Sequence, residues 1–298
     1  MKIASFNQGR IGIVEGDFVA DVSHVIGHEP GNWPPIGMLR FIASWNDVKS
    51  RLLTELRTAK RIPLAEVQLN CPIVWPNKVI AYPANYHAHI DEMKTGTGLI
   101  SNFNASGQGF FLKANSSLSG PRDPIVLPDL RDREIHHECE LAIIIGKGGR
   151  GISPERALDH VFGYSCLIDV VIRGKEERVM RKSFDSFCPM GPYITTADEV
   201  PRYDDIDLQL IVNGELRQKA NTRDLIVGVP DMIAMASSVM TLFPGDIIAS
   251  GTPSGVGPLK AADRVEIRIA GVGEMALDVM QGKEGAHPVW NKKSVATA

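Results

Sequence analysis

Glu138 and Glu140 stand two residues apart in REIHHECELAIIIGKG, residues 133–148, directly before one of the most apolar runs of the chain, Leu141 to Ile145. Carboxylates at the mouth of a buried segment are costly unless something compensates them. If 135–145 is one strand, side chains alternate, so His136, Glu138 and Glu140 share a face while His137, Cys139 and Leu141 take the other. The two carboxylates then lie roughly 7 Å apart, and burial with mutual repulsion raises both pKa values. Exposure beside a Lys or Arg relieves this and is the ordinary reading of an isolated E-x-E; a bridging divalent cation relieves it too. YSCLIDVVIRG strengthens the second reading, because it puts Asp169 in the middle of another apolar strand, ahead of Arg173. Three carboxylates with few soft ligands suit a hard ion such as Mg²⁺ or Mn²⁺. Zinc would favour His or Cys, and His136 keeps that alternative open.

A second constellation lies in NYHAHIDEM, residues 85–93, where Asn85 can cap a helix start. On that helix His89 and Glu92, spaced i, i+3, share a face. A carboxylate beside an imidazole orients it and raises its basicity, as a general base for water requires. His87 and Asp91 make an equally good i, i+4 pair, and a solvated face with incidental charges is the plain alternative. Local spacing does not choose among them.

The elements that must position these residues read as β-rich. Residues 1–20 alternate between apolar and polar with glycines between, which predicts a small meander. Residues 36–60 carry helical periodicity through Met38, Leu39, Ile42, Trp45, Val48, Leu52, Leu53 and Leu56. Prolines 63, 72, 76 and 83 then break the chain into extended pieces, and a domain boundary is placed near residue 70, giving units 1–70 and 71–298. Beyond it KVIAYPANY, GFFLKAN, ELAIIIG, VFGYSCLIDVVI, LQLIVNGELRQ, DIIASGT and RVEIRIAGVGEMALDVM read as strands, with a hairpin turn at 213–215. Helices are expected at 86–94, 153–160 (Ser153 as N-cap) and 229–241. The glycines at 146–151 lack the GxGxxG order of a dinucleotide site and read as a strand-exit turn.

Composition narrows the function classes. The chain has 298 residues, 44% hydrophobic and 22% charged, with a net charge of −3. That allows a substantial core and argues against a nucleic-acid surface, which needs a basic patch. The four cysteines have no CxxC spacing and read as buried free thiols of a reducing compartment. No apolar run reaches the ~18 residues that span a membrane, and the N-terminus lacks a signal-peptide core. A soluble cytoplasmic protein is the expectation.

Several motifs, in order, resemble those of the fumarylacetoacetate hydrolase family. N-Y-x-x-H-x-x-E is met by Asn85, Tyr86, His89 and Glu92; the FLK…S…G…LP stretch by FFLKANSSLSGPRDPIVLP; E-x-E-L-A-x-x-I-G-K by Glu138 through Lys147. FGYSCLIDVVIRG, RKSFDSFCPMGPYI, VNGELRQ and TLFPGDIIASGTPSGVG continue the pattern, which covers about residues 71–280. The resemblance implies an α+β, β-rich fold: a mixed β-roll catalytic domain with a small N-terminal domain, as a homodimer. It implies metal ligands Glu138, Glu140 and Asp169 for Mg²⁺, with Mn²⁺ or Ca²⁺ also accepted. It implies His89 and Glu92 as the water-activating pair, Lys182 beside the metal, and Arg173 and Thr252 as contacts for substrate carboxylate or carbonyl groups.

The implied activity is hydrolysis of a C–C bond in an acylpyruvate-like or other 1,3-dicarbonyl substrate, a diketo acid. The same metal site supports decarboxylation of a β-keto acid, or enol–keto isomerisation by proton movement alone. A non-catalytic metal-stabilised binding module is the alternative outside enzymes, and keeping both a base pair and the acidic triad argues against it. Two departures bear on substrate. The matched arginine is followed by GKEER where members often carry Asp and a nearby Gln. Residues 93–109 form a Gly-, Ser- and Asn-rich stretch that reads as a lid or a tolerated loop.

Overall fold

Alternation at the N-terminus produces an antiparallel meander of Lys2–Phe6, Arg10–Glu15 and Phe18–Asp21. The computed structural model describes residues 1–97, 104–130, 133–285 and 290. Lys2–Phe6 also pairs with Cys188–Thr196, so the meander shares a sheet with the rest of the chain. Among the described residues this sheet has 12 strands. Its centre runs from Cys188–Thr196 through Val161–Ile168, Cys139–Ile145 and Ile247–Ala249 to Val79–Ala81 and Phe111–Lys113.

The apolar run after Glu140 is explained by burial on both faces. Leu141, Ile143 and Ile145 enter one core with Ile80 and Ile248, while Ala142 and Ile144 enter another with Phe41, Ile42 and Leu52. A strand sandwiched between two cores is apolar at every position, not at alternate ones. The second core is closed by two helices, Gly37–Ala43 and Trp45–Glu55, where periodicity predicted one. Ser44 divides them: its hydroxyl bonds the Arg40 carbonyl at 2.8 Å, competing with the helical backbone. Leu53, counted on the apolar side, is exposed.

The first core is closed by a five-stranded sheet, Glu215–Asn221, Asp207–Val212, Arg264–Ile269, Gly273–Gly285 and Ile125–Asp129. Its first hairpin turns at Asn213 and Gly214, with φ of 53° and 80°, a pair of left-handed residues that matches the strand twist. The helix Val229–Val239, begun with Pro230 in its first turn, packs into the same core. Residues 154–160 form a 3₁₀ helix, Pro154–His160.

Three expectations change at the junction between sheets. Residues 135–145 are not one strand: Ile135–His137 joins a small sheet with Val171–Ile172 and Gly257–Pro258, and Cys139–Ile145 joins the large one, with the break at Glu138. Asp169 is not mid-strand, since Val161–Ile168 ends just before it. Asn85 does not cap a helix; its amide donates to the carbonyls of Val227 and Ser250 and accepts from Val227 N, bolting two distant segments together. The helix His87–Thr97 begins two residues later. Of the stretch read as a lid, 93–109, residues through Thr97 and Ala105–Gln108 are helical, and 98–103 lie outside the described residues. Among the described residues no helix is long and apolar enough to cross a membrane.

Candidate active site

Glu138 and Asp169 face each other across the junction. Cys139 pairs with Ile168, and one step further Asp169 N donates to the Glu138 carbonyl at 2.9 Å. Residues directly opposed across an antiparallel pair project to the same face, so this register brings the two carboxylates together. Glu140, the second residue of the strand Cys139–Ile145, paired with Leu167, joins them. Carboxylate oxygens of Glu138, Glu140 and Asp169 all lie within 4.8 Å of one another, and all three residues are buried.

Two lysines reach this cluster. Lys182 Nζ donates to Glu138 Oε2 and Asp169 Oδ2, each at 2.6 Å. Lys113 Nζ donates to Asp169 Oδ1 and, at 3.0 Å, to the Phe187 carbonyl. Burial resists ionisation of Glu138, but the charges of Lys182 and Arg173 outweigh it and hold its carboxyl down to about 2. Lys182 acts on Glu140 too, but there it is outweighed. Burial, with Asp169 and Glu138 beside it, pushes its carboxyl well above the usual range. Burial likewise opposes the charge on Lys182, but the three carboxylates prevail and raise its pKa. The two lysines hydrogen-bond Glu138 and Asp169, while Glu140 accepts from a backbone N–H instead. Hard oxygen donors this close, one of them in need of a cation, fit a divalent metal.

Glu140 is held by backbone that only glycine provides. Gly251 N donates to Glu140 Oε2 at 2.9 Å. Gly251 has φ of 88°, and a Cβ there would meet Asn85 Cβ at 2.6 Å and the Tyr82 carbonyl at 2.7 Å. Gly255, with φ of 93°, plays the same part for Glu92, donating to its Oε1 at 2.9 Å.

The structure separates the two His–carboxylate pairs. His89 is buried and its Nδ1 lies 3.1 Å from Glu92 Oε2. His87 is exposed, and Asp91 pairs with Lys94 at 2.9 Å. Burial pushes the Glu92 carboxyl up, but hydrogen bonds from His89 and Gly255 and the charge of Arg173 bring it below its ordinary value. His89, the acidic triad, Lys182, Arg173 and Thr252 line one cavity of about 240 Å³. His136 and His137 stay outside it. His136 Nδ1 accepts from Arg173 Nε at 3.0 Å, and His137 Nδ1 lies 3.0 Å from Gln218 Oε1.

Two residues of this network carried no assigned role in the sequence. Lys113 had a signal: a lone cation in the apolar strand end of FFLKAN needs a buried counter-charge. Gln218 had only its place at the end of the motif VNGELRQ. Its carbonyl accepts from Cys139 N at 2.9 Å, and its amide donates to the Pro253 carbonyl at 2.9 Å and to Thr252 Oγ1 at 2.8 Å.

The family model described as fumarylacetoacetate (FAA) hydrolase, C-terminal, matches residues 78–280. The chain belongs to the fumarylacetoacetate hydrolase family. It is 41% identical over 285 residues to maleylpyruvate hydrolase of Aquipseudomonas alcaligenes, covering 94% of this chain and 99% of that one. It is similar to the crystal structure of maleylpyruvate hydrolase from Sphingobium sp. SYK-6 in complex with manganese(II) and pyruvate, at 52% identity and a TM-score of 0.87, covering 95% of this chain and all of the other. A 5-carboxymethyl-2-hydroxymuconate delta-isomerase from Mycobacterium smegmatis aligns at 31% identity and a TM-score of 0.72, over 95% of this chain and all of its own length.

Membership in the fumarylacetoacetate hydrolase family bears out the resemblance, the β-rich mixed fold, and an enzyme that hydrolyses a C–C bond in an acylpyruvate-like compound. Manganese in the relative and the acidic triad here together imply a divalent metal.

Proposed function

We propose that this protein hydrolyses maleylpyruvate, or an acylpyruvate close to it, to pyruvate and the acid of the acyl part. The observation that carries this reading is the opening of His89, with Glu92 behind it, into the same cavity as the acidic triad and Lys182. High identity to maleylpyruvate hydrolases along nearly the whole chain supports the substrate. Glu138, Glu140 and Asp169 would hold the ion, Mg²⁺ by preference with Mn²⁺ or Ca²⁺ accepted, and it supplies a Lewis acid for the 2-oxo acid end of the substrate.

The chain's own groups do the rest. With Nδ1 turned to Glu92, His89 carries its proton there and keeps the Nε2 lone pair for a water proton. The water oxygen bonds the distal acyl carbon as that proton passes to His89. The C–C bond then breaks, its electron pair goes to the pyruvate fragment, and His89 returns a proton to it. Lys182 places positive charge where that fragment's oxygen becomes anionic. Thr252 Oγ1 accepts from Gln218, so its own hydrogen is left to donate into the cavity, and Arg173 faces a substrate carboxylate or carbonyl.

The remaining assignments belong to the same proposal: a small N-terminal unit of residues 1–70 before a catalytic unit of 71–298, a homodimer, and a cytoplasmic location. Isomerisation is the second reading, favoured by the isomerases among the structural neighbours, because His89 can also shuttle a proton without water attack. Incubating the Mg²⁺- and Mn²⁺-loaded protein with maleylpyruvate and identifying products decides between them. Pyruvate and maleate in equal amounts support hydrolysis; a rearranged acid of unchanged mass supports isomerisation.

A further inference from the structure

The cavity is charged asymmetrically. Its lining holds three carboxylates, all in the metal cluster, and four cations, Arg173, Arg178, Arg181 and Lys182. A bound divalent ion turns that lining to a surplus of about three positive charges. A monoanionic oxo acid leaves most of this surplus unmatched in a confined, low-dielectric space.

The arginines are not equivalent. Arg173 Nε is held by His136, and its charge acts on Glu92, which places it beside the base pair. Arg181 is tied to its own loop, with Nε and Nη1 donating to the carbonyls of Glu176 and Ile172 at 2.7 and 3.1 Å. Arg178 stands differently. Its guanidinium lies over the Phe111 ring at 5.1 Å from the centroid, and Nη2 donates to Gln108 Oε1 at 2.9 Å. Lys182 Nζ lies over the same ring at 5.5 Å. Arg178 and Lys182 are therefore no farther apart than those two distances laid end to end. A seven-carbon diacid, with C–C bonds of about 1.5 Å, spans roughly 7–8 Å between its carboxyl carbons, which lies within that upper limit.

We infer that Arg178 is the specificity-determining residue for a second carboxylate, the one at the other end of the substrate from its 2-oxo acid, so that this enzyme takes dicarboxylic acylpyruvates in preference to monocarboxylic ones. This rests on the proposed acylpyruvate reading and deepens it. The ring beneath and Gln108 beside the guanidinium hold a planar fork in place before substrate arrives, which suits bidentate capture of a carboxylate. Arg178 lies in the GKEER segment, where the sequence departs from the family pattern.

Calorimetry on the full-length Mn²⁺-loaded protein tests this with a matched pair, 2-oxoheptanedioate and 2-oxoheptanoate, which differ only in the terminal carboxylate. Neither carries the second ketone that hydrolysis needs, so binding is read apart from turnover. The parent should bind the diacid about tenfold or more tighter. Arg178→Gln and Arg178→Met should each bring the ratio to within about twofold, and Arg178→Lys should keep part of it. Circular dichroism selects the variants that fold. A parent with no preference, or a folded variant that keeps the parent ratio, overturns the inference. If the preference is present but maleylpyruvate is not cleaved, the substrate reading fails and Arg178 stands; cleavage without preference gives the reverse.

Discussion

The amide of Gln218 donates to the Thr252 hydroxyl across 2.8 Å, and the same side chain accepts from the backbone N–H of Cys139, between Glu138 and Glu140. One buried residue thus ties the loop that presents Thr252 to the strand that presents Glu138 and Glu140. Its orientation follows from its neighbours: a backbone N–H requires the carbonyl on one side, and the Pro253 carbonyl requires the amide on the other.

Replacing Gln218 by Leu removes all of these partners at once. Buried groups on Cys139, His137, Thr252 and Pro253 would lose their partner, at a cost of roughly 3 kcal/mol. Urea unfolding should show the loss, and KM should rise more than kcat falls because Thr252 is no longer aimed. A Leu variant with parental stability and KM would mean the network is incidental.

His89→Ala should lower kcat on maleylpyruvate by about a hundredfold or more, while Mn²⁺ binding by calorimetry stays within a factor of about two, since no metal ligand is touched. Retained turnover would remove His89 from the role of base.

Glu138→Ala and Asp169→Ala each delete a proposed ligand and should weaken Mn²⁺ binding by about a hundredfold or more, as loss of a coordinating oxygen from so small a set does. They also leave Lys182 short of a counter-charge in the interior, so lower melting temperatures are expected. Parental affinity in both variants would refute the triad.

Gly251→Ala forces a Cβ against Asn85 and the Tyr82 carbonyl in a left-handed backbone. A loss of about 2 kcal/mol or more in stability and a matching fall in Mn²⁺ affinity are expected, because Glu140 loses its backbone donor. Calorimetry and urea unfolding on one preparation test both.

Acid should destabilise the fold through His137. Burial holds its pKa down to about 4, against an ordinary value of 6.5. Between those values the unfolded chain binds more protons, so stability present above pH 6.5 falls as pH drops toward 4, by a contribution on the order of 3 kcal/mol. His137→Asn removes the titrating group. The gap between parent and variant in urea midpoint should therefore change between pH 7 and 4.5, and a constant gap would exclude His137 as a source.

How far the site was legible depended on sequence distance. The carboxylates were visible because charged residues inside LIDVV or ahead of LAIII need a partner. Their convergence was not, because it depends on the register that sets Glu138 opposite Asp169, and neither strand's own period fixes which strand it pairs with. Lys113 was half visible as a lone cation in an apolar stretch. Gln218 was visible only as the end of the motif VNGELRQ; its role was not, because it bonds His137 and Cys139 from 81 and 79 positions away.

The sequence by itself determined the family, the kinds of ligand, the strand-rich pattern and the two candidate His–carboxylate pairs, because each is a matter of residue type and short-range period. Only the tertiary structure decided that His89 and Glu92 turn inward while His87 faces solvent, that the three acids meet within 4.8 Å, and that Gly251, Gln218 and Lys113 hold them. Period fixes which side chains share a face. Which face is buried, and what meets it there, is set by contacts between segments that the chain separates by scores of residues.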